Sequence, residues 1–154
     1  ARTQGAPLVV ANILSTCPPG EIHVTSSGEN FIAGTASGTP FAFSTAPGKQ
    51  YTTGGFSTDA LAVTWAGDTV FAADVTSLSR DGKLLLKSAE PLACEITADG
   101  IAYDLMAKSA ASIGAGKQPS EIRINGVKTP FTYDIKTRTA KLTLPAGEGT
   151  LVIR

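Results

Sequence analysis

The sequence predicts an all-β protein: one domain over 1–154, an antiparallel two-sheet β-sandwich, jelly-roll-like, with about a dozen short strands. Three observations predict it. Short runs alternate apolar and polar residues with period two from end to end. Turn dipeptides punctuate those runs. No segment of useful length repeats its apolar residues at helical spacing. With 42% hydrophobic and 17% charged residues, each strand can bury one face and wet the other, as two stacked sheets require.

The strands follow in order. Segments 8–14, 21–25, 30–34 and 41–45 open the series. Pro18-Pro19-Gly20 ends the first, because neither proline can donate to a ladder. In 61–65, Leu61, Val63 and Trp65 share a face, and Gly67-Asp68 turns the chain into 69–75. There Val70 and Ala72 oppose Phe71, Ala73 and Val75, so both faces are apolar, and one is expected to be left uncovered by the chain itself. Segment 83–88 follows the Asp81-Gly82 turn. In 92–97, Leu92, Cys94 and Ile96 oppose Ala93, Glu95 and Thr97; in 101–105, Ile101, Tyr103 and Leu105 oppose Ala102 and Asp104. Asp99-Gly100 stands between these two runs and makes them a hairpin. The Ala-rich 105–113 reads as the end of a strand followed by loop. The last strands are 121–125, closed by Asn125-Gly126, then 131–135 with Phe131, Tyr133 and Ile135 on one face, 138–144 and 150–153.

Composition removes several classes of function. Lys+Arg and Asp+Glu both number 13, and a balanced charge argues against nucleic-acid binding, which needs basic surface. No apolar run reaches the ~18 residues of a membrane span. The one His, His23, stands between Ile22 and Val24, where alternation turns it to solvent, so the usual triads and multi-His metal sites lack their ligand or base. No GxSxG elbow is present. Gly114-Ala115-Gly116-Lys117 mimics a phosphate loop, but Ala111 replaces the first Gly and Gln118 the Mg²⁺-binding hydroxyl. The carboxylates are scattered, and no calcium-loop motif occurs. No cofactor is therefore expected, with room only for a structural Ca²⁺ held by loop oxygens. Cys17 and Cys94 form no CxxC. A bridge between them would contribute about 4 kcal/mol by loop closure; two buried free thiols are the other reading. Low charge with abundant Thr, Ser and Gly leans toward an extracellular or periplasmic setting. The opening Ala1-Arg2-Thr3 reads as a processed chain or a piece of a longer protein.

Aromatic faces stack on sugar rings, so rings placed in loops are the first binding candidates. Trp65, Tyr103 and Tyr133 fall on apolar faces and read as core. That leaves Tyr51 and Phe56 in the Gly-rich stretch 46–58, with Lys49, Gln50 and Asp59 as hydrogen-bonding neighbours. Two readings stay open for this stretch: a glycan-contact loop, or a connection whose rings cover the sandwich edge.

Ser120-Glu121-Ile122-Arg123-Ile124-Asn125-Gly126, Phe131-Thr132-Tyr133-Asp134, Leu142-Thr143-Leu144-Pro145-Ala146-Gly147 and Leu151-Val152-Ile153 run as strand, Asn-Gly, aromatic-x-Tyr-Asp, strand, Leu-Pro-x-Gly, strand. This order resembles the closing strands of C-terminal β-sandwich domains on polysaccharide lyases of heparinase and alginate-lyase type and on several glycoside hydrolases. Gly38-Thr39-Pro40-Phe41-Ala42-Phe43 is compatible with an earlier hairpin of such domains. The resemblance covers about the last 35 residues and carries over no catalytic position. It implies a non-catalytic accessory domain, partnered by carbohydrate, a neighbouring catalytic domain, or both. The alternatives are a surface or appendage protein built for assembly and a small polysaccharide hydrolase or lyase working through carboxylates.

Overall fold

The structure, a computed structural model, describes residues 21–154. The expected strand 8–14, the Pro18-Pro19-Gly20 stop and Cys17 lie outside the described residues. The first strands are β1 (Ile22–Ser27), β2 (Phe31–Ala36), β3 (Thr39–Ser44), β4 (Tyr51–Thr53), β5 (Phe56–Thr58) and β6 (Ala62–Ala66). Two long ones follow, β7 (Thr69–Arg80) and β8 (Lys83–Ile96). The rest are β9 (Ile101–Leu105), β10 (Ser109–Gly114), β11 (Ile122–Ile124), β12 (Val127–Lys128), β13 (Thr132–Asp134), β14 (Thr139–Leu144) and β15 (Gly147–Ile153). Every pairing is antiparallel.

The long β7–β8 hairpin belongs to two sheets at once. The first half of β7 pairs with β6, and Val70, Phe71 and Ala72 face Ile96, Glu95 and Cys94 on β8. Its second half pairs with β5, and Ser77 and Leu78 face Lys87 and Leu86. The first sheet therefore runs β1-β2-β3-β6-β7-β8-β9-β15-β11-β12, and the second β4-β5-β7-β8-β10-β14-β13. Ring contacts join them: Phe31 of β2 stacks on Tyr51 of β4 at 5.5 Å, and Phe56 of β5 meets Trp65 of β6 at 4.9 Å. One cluster drawn from both sheets, including Val63, Val70, Leu78, Leu86, Ile113, Leu144 and Leu151, fills the space between. The expected antiparallel sandwich is the observed fold.

The hairpin turns its corner through register shifts between Ala72 and Ser79, with Asp74 at φ 52°. Such bulges bend a strand and sharpen its twist. Two side chains satisfy the backbone the bend releases. Asp59 accepts the N–H groups of Thr76 at 3.0 Å and Ser77 at 2.9 Å, and the Thr76 hydroxyl as well. On β8 the buried Ser109 hydroxyl accepts the N–H groups of Ala89 and Glu90. Pro91 follows them and needs no acceptor.

Several boundaries differ from expectation, among them β7 running on to Arg80 and β15 starting at Gly147, and three differences have a visible cause. Segments 83–88 and 92–97 are one strand, because Ser109 carries the ladder across the corner. Ser109–Gly114 is strand β10, not loop: Ala111 and Ile113 face in and Ala110 faces out, an alternation that small Ala and Ser side chains leave faint in the sequence. Strand 131–135 stops at Asp134, whose carboxylate accepts the N–H groups of Lys136 and Thr137. That turn leaves Ile135 exposed rather than on the face of Tyr133. The turn at Asn125-Gly126 follows expectation, with φ 51° and 78° at its two residues, the geometry of a two-residue hairpin.

Candidate functional site

The stretch 46–58 folds as a hairpin, and this decides the fate of its rings. Gly54-Gly55, at φ 55° and 82°, turns β4 back as β5, and Tyr51 pairs with Thr58. Tyr51, Phe56 and Thr58 then share the inward face. Tyr51 is buried and its hydroxyl donates to the Ala60 carbonyl at 3.0 Å. Burial first, and the Asp59 charge second, push its pKa up to about 12. Phe56 is fully buried, with the Arg80 guanidinium 5.3 Å from its ring centre. Asp59 is buried at the corner, committed to Thr76 and Ser77. Only Lys49 and Gln50 remain at the surface. Of the two readings open for Tyr51 and Phe56, the glycan-contact loop falls and the covering role stands: the rings glue the sheets together.

The open surface lies elsewhere, on the outer face of the first sheet. Val63, Val70, Ala72, Cys94, Tyr103 and Gly149 point into the core, so their neighbours along each strand point out. One outward row reads Thr64, Phe71, Glu95, Ala102, Thr150 across β6, β7, β8, β9 and β15. The next brings Ala93, Asp104 and Glu148 into line across β8, β9 and β15. With Ala62, Ala73 and Asn125 they line a shallow cavity of about 750 Å³. The outward alanines Ala62, Ala73, Ala93 and Ala102 make the low parts of its floor, and Phe71, 46% exposed, stands toward one side of it. Alanines keep the floor low enough for a ligand to lie against the backbone. Asn125 is held in place, its side-chain oxygen accepting the Thr150 N–H at 2.8 Å.

The electrostatics of this face are one-sided. Glu95, Asp104 and Glu148 line the cavity with no Lys, Arg or His among the lining residues. None of the three carboxylates has an ion-pair partner among the described residues. Asp104 and Glu148 sit directly opposite each other on β9 and β15, a placement that destabilises a sheet. The Tyr103 ring packs over Gly149 on the core side: a β-carbon added at Gly149 would lie 2.3 Å from Cζ of Tyr103. The Tyr103 hydroxyl is buried without a hydrogen-bond partner among the described residues, and burial raises its pKa. Arg123 is engaged by Glu121 at 2.7 Å. Among the described residues no guanidinium pairs with the three carboxylates, and the Tyr103 phenol beside Asp104 is buried on the core side.

Phe71 was legible as part of a strand apolar on both faces, grouped there with Val75, which the bulge at Asp74 turns into the core. The carboxylates were not, since Glu95, Asp104 and Glu148 meet only through the β8–β9–β15 pairing. His23 is exposed on β1. Cys94 is a buried thiol, pushed up to about 12 by burial, against the smaller opposing effect of a hydrogen bond with the Ala72 backbone. Cys17, the partner a bridge would need, lies outside the described residues. Among the described residues no three His, Cys, Asp or Glu side chains are grouped to hold a metal ion. No helix among them is long and apolar enough to cross a membrane.

Fold and face define a class: an antiparallel β-sandwich carrying an open, aromatic-edged and carboxylate-lined platform. The chain matches no family model, and no curated protein matches it.

Proposed function

We propose that this chain is a non-catalytic accessory module of an extracellular or periplasmic carbohydrate-active protein, and that it contacts glycan through the outer face of its first sheet. One observation carries the reading: a groove floored by alanine, with the Phe71 ring at its side and Thr64, Thr150 and three carboxylates around it. A pyranose has an apolar face and a rim of hydroxyls. An exposed ring suits the first, and carboxylate and hydroxyl acceptors suit the second. The resemblance of 120–153 to the closing strands of accessory sandwiches points the same way. Carboxylates on an open face suit binding better than hydrolysis, which sets one acid and one base across a scissile bond in a water-controlled site.

The test is affinity electrophoresis of the 154-residue chain through gels containing soluble polysaccharides, with Phe71→Ala and Tyr51→Phe as paired controls. Retarded migration on at least one glycan is expected, lost in Phe71→Ala and kept in Tyr51→Phe. Migration unchanged on every glycan would remove the reading.

A further inference from the structure

The charge of the platform selects among glycans. Taking the platform as a glycan-binding face, we infer that its ligand carries free amines: an amino-sugar oligomer or polymer, not a uronate or sulfated chain. Asp104 and Glu148 are directly paired on adjacent strands, and among the described residues no cation offsets them. Glu95 adds a third carboxylate on the next strand, in line with Phe71. Like charges left facing each other weaken the sheet they stand on. They are relieved when a positive ligand lies across them, and that relief favours binding.

The layout suits a chain running across the strands. The order β7-β8-β9-β15 sets Phe71 first, then Glu95, then the Asp104–Glu148 pair. Three interstrand spacings cover roughly 14 Å, the reach of a short oligosaccharide. One ring of such a ligand would stack on Phe71 while the amines of the following rings meet the carboxylates. A polyanion laid along the same path would face three negative charges, with no Lys, Arg or His among the described residues that line the groove.

Titration calorimetry on the full chain tests the inference with glucosamine hexasaccharide, its fully N-acetylated counterpart, a uronate hexasaccharide and a lysine hexapeptide. The first two share a skeleton and differ in charge. The free-amine form is expected to bind at least about tenfold tighter than the acetylated form, and the uronate not at all. The Asp104→Asn/Glu148→Gln double variant should bring the first two within about twofold of each other. Phe71→Ala should weaken both together. Equal or tighter binding of the acetylated form, or binding of the uronate, would overturn the inference and leave the glycan platform standing. Binding of the lysine peptide as tight as that of the amino sugar, unaffected by Phe71→Ala, would reveal bare cation adsorption and overturn it too. Heat from no saccharide would remove both the inference and the platform. Sedimentation of the free chain should give a monomer at all concentrations. Salt-sensitive self-association lost in the Asp104→Asn/Glu148→Gln variant would instead assign the face to a second copy, through the exposed Lys87 and Lys141 of the opposite sheet, and would also overturn the inference.

Discussion

Asp59 holds Thr76 by both its N–H and its hydroxyl, across the bend where β7 leaves one sheet for the other. The same carboxylate takes the Ser77 N–H. A connecting residue outside any strand thereby sets the angle between two sheets. Removing the side chain strands two backbone donors at the bulge. Asp59→Ala should lower stability by about 2–3 kcal/mol, read from the midpoint of urea unfolding at unchanged slope. A loss below about 0.5 kcal/mol would mean that the corner holds itself.

Tyr103 presents the opposite case, a buried hydroxyl without a partner among the described residues. Its desolvation is uncompensated, so Tyr103→Phe should raise stability by about 1 kcal/mol, with the ring still packed over Gly149. Thermal unfolding of the two proteins side by side gives the answer. A lower midpoint for the variant would show that the hydroxyl is satisfied in solution.

Tyr51 and Cys94 both have pKa values pushed up to about 12, from ordinary values of 10.0 and 9.0. Below pH 9 both groups are protonated in the folded and unfolded chains, and their contribution to stability is full and flat. Between about pH 9 and 12 the unfolded chain releases protons that the folded one retains, so stability falls as pH rises. Each group adds at most about 1.4 kcal/mol per pH unit to that slope. Cys94→Ala should flatten the loss from pH 9 upward, measured by urea unfolding across that range. An unchanged slope would show that the thiol is not protected by burial.

Relieving the Asp104–Glu148 pair should stabilise the sheet while impairing the face. Glu148→Gln is expected to gain roughly 0.2–1 kcal/mol in urea unfolding, and to reduce retardation on glycan gels. Gain of stability with loss of binding is the pattern of a local rule broken for function. Loss of stability in Glu148→Gln would mean that the carboxylate is supported by a contact within the fold.

Much of the architecture was open to a reader of the sequence. Alternation in 61–65, 92–97 and 101–105, with Asp99-Gly100 between the last two, is local information: a two-residue period and a turn dipeptide act over a few bonds. Strand β10 escaped because Ala and Ser differ too little in hydropathy to mark an inside and an outside. The Gly-rich composition of 46–58 hides the two-residue Gly54-Gly55 turn, so the sequence leaves open whether Tyr51 and Phe56 face solvent or cover the sandwich edge, and the register of β4 with β5 decides for the inside.

Local order in the chain was enough to give the class of fold and the two apolar faces that Val70 and Phe71 open on 69–75. Those follow from side-chain order along a strand. Only the tertiary structure decided which residues share a surface. Phe71, Glu95, Asp104 and Glu148 lie on four strands whose adjacency depends on β15 returning to pair with β9. Long-range pairing of that kind is set by the packing of the whole core, and leaves no mark on the residues nearby in the chain.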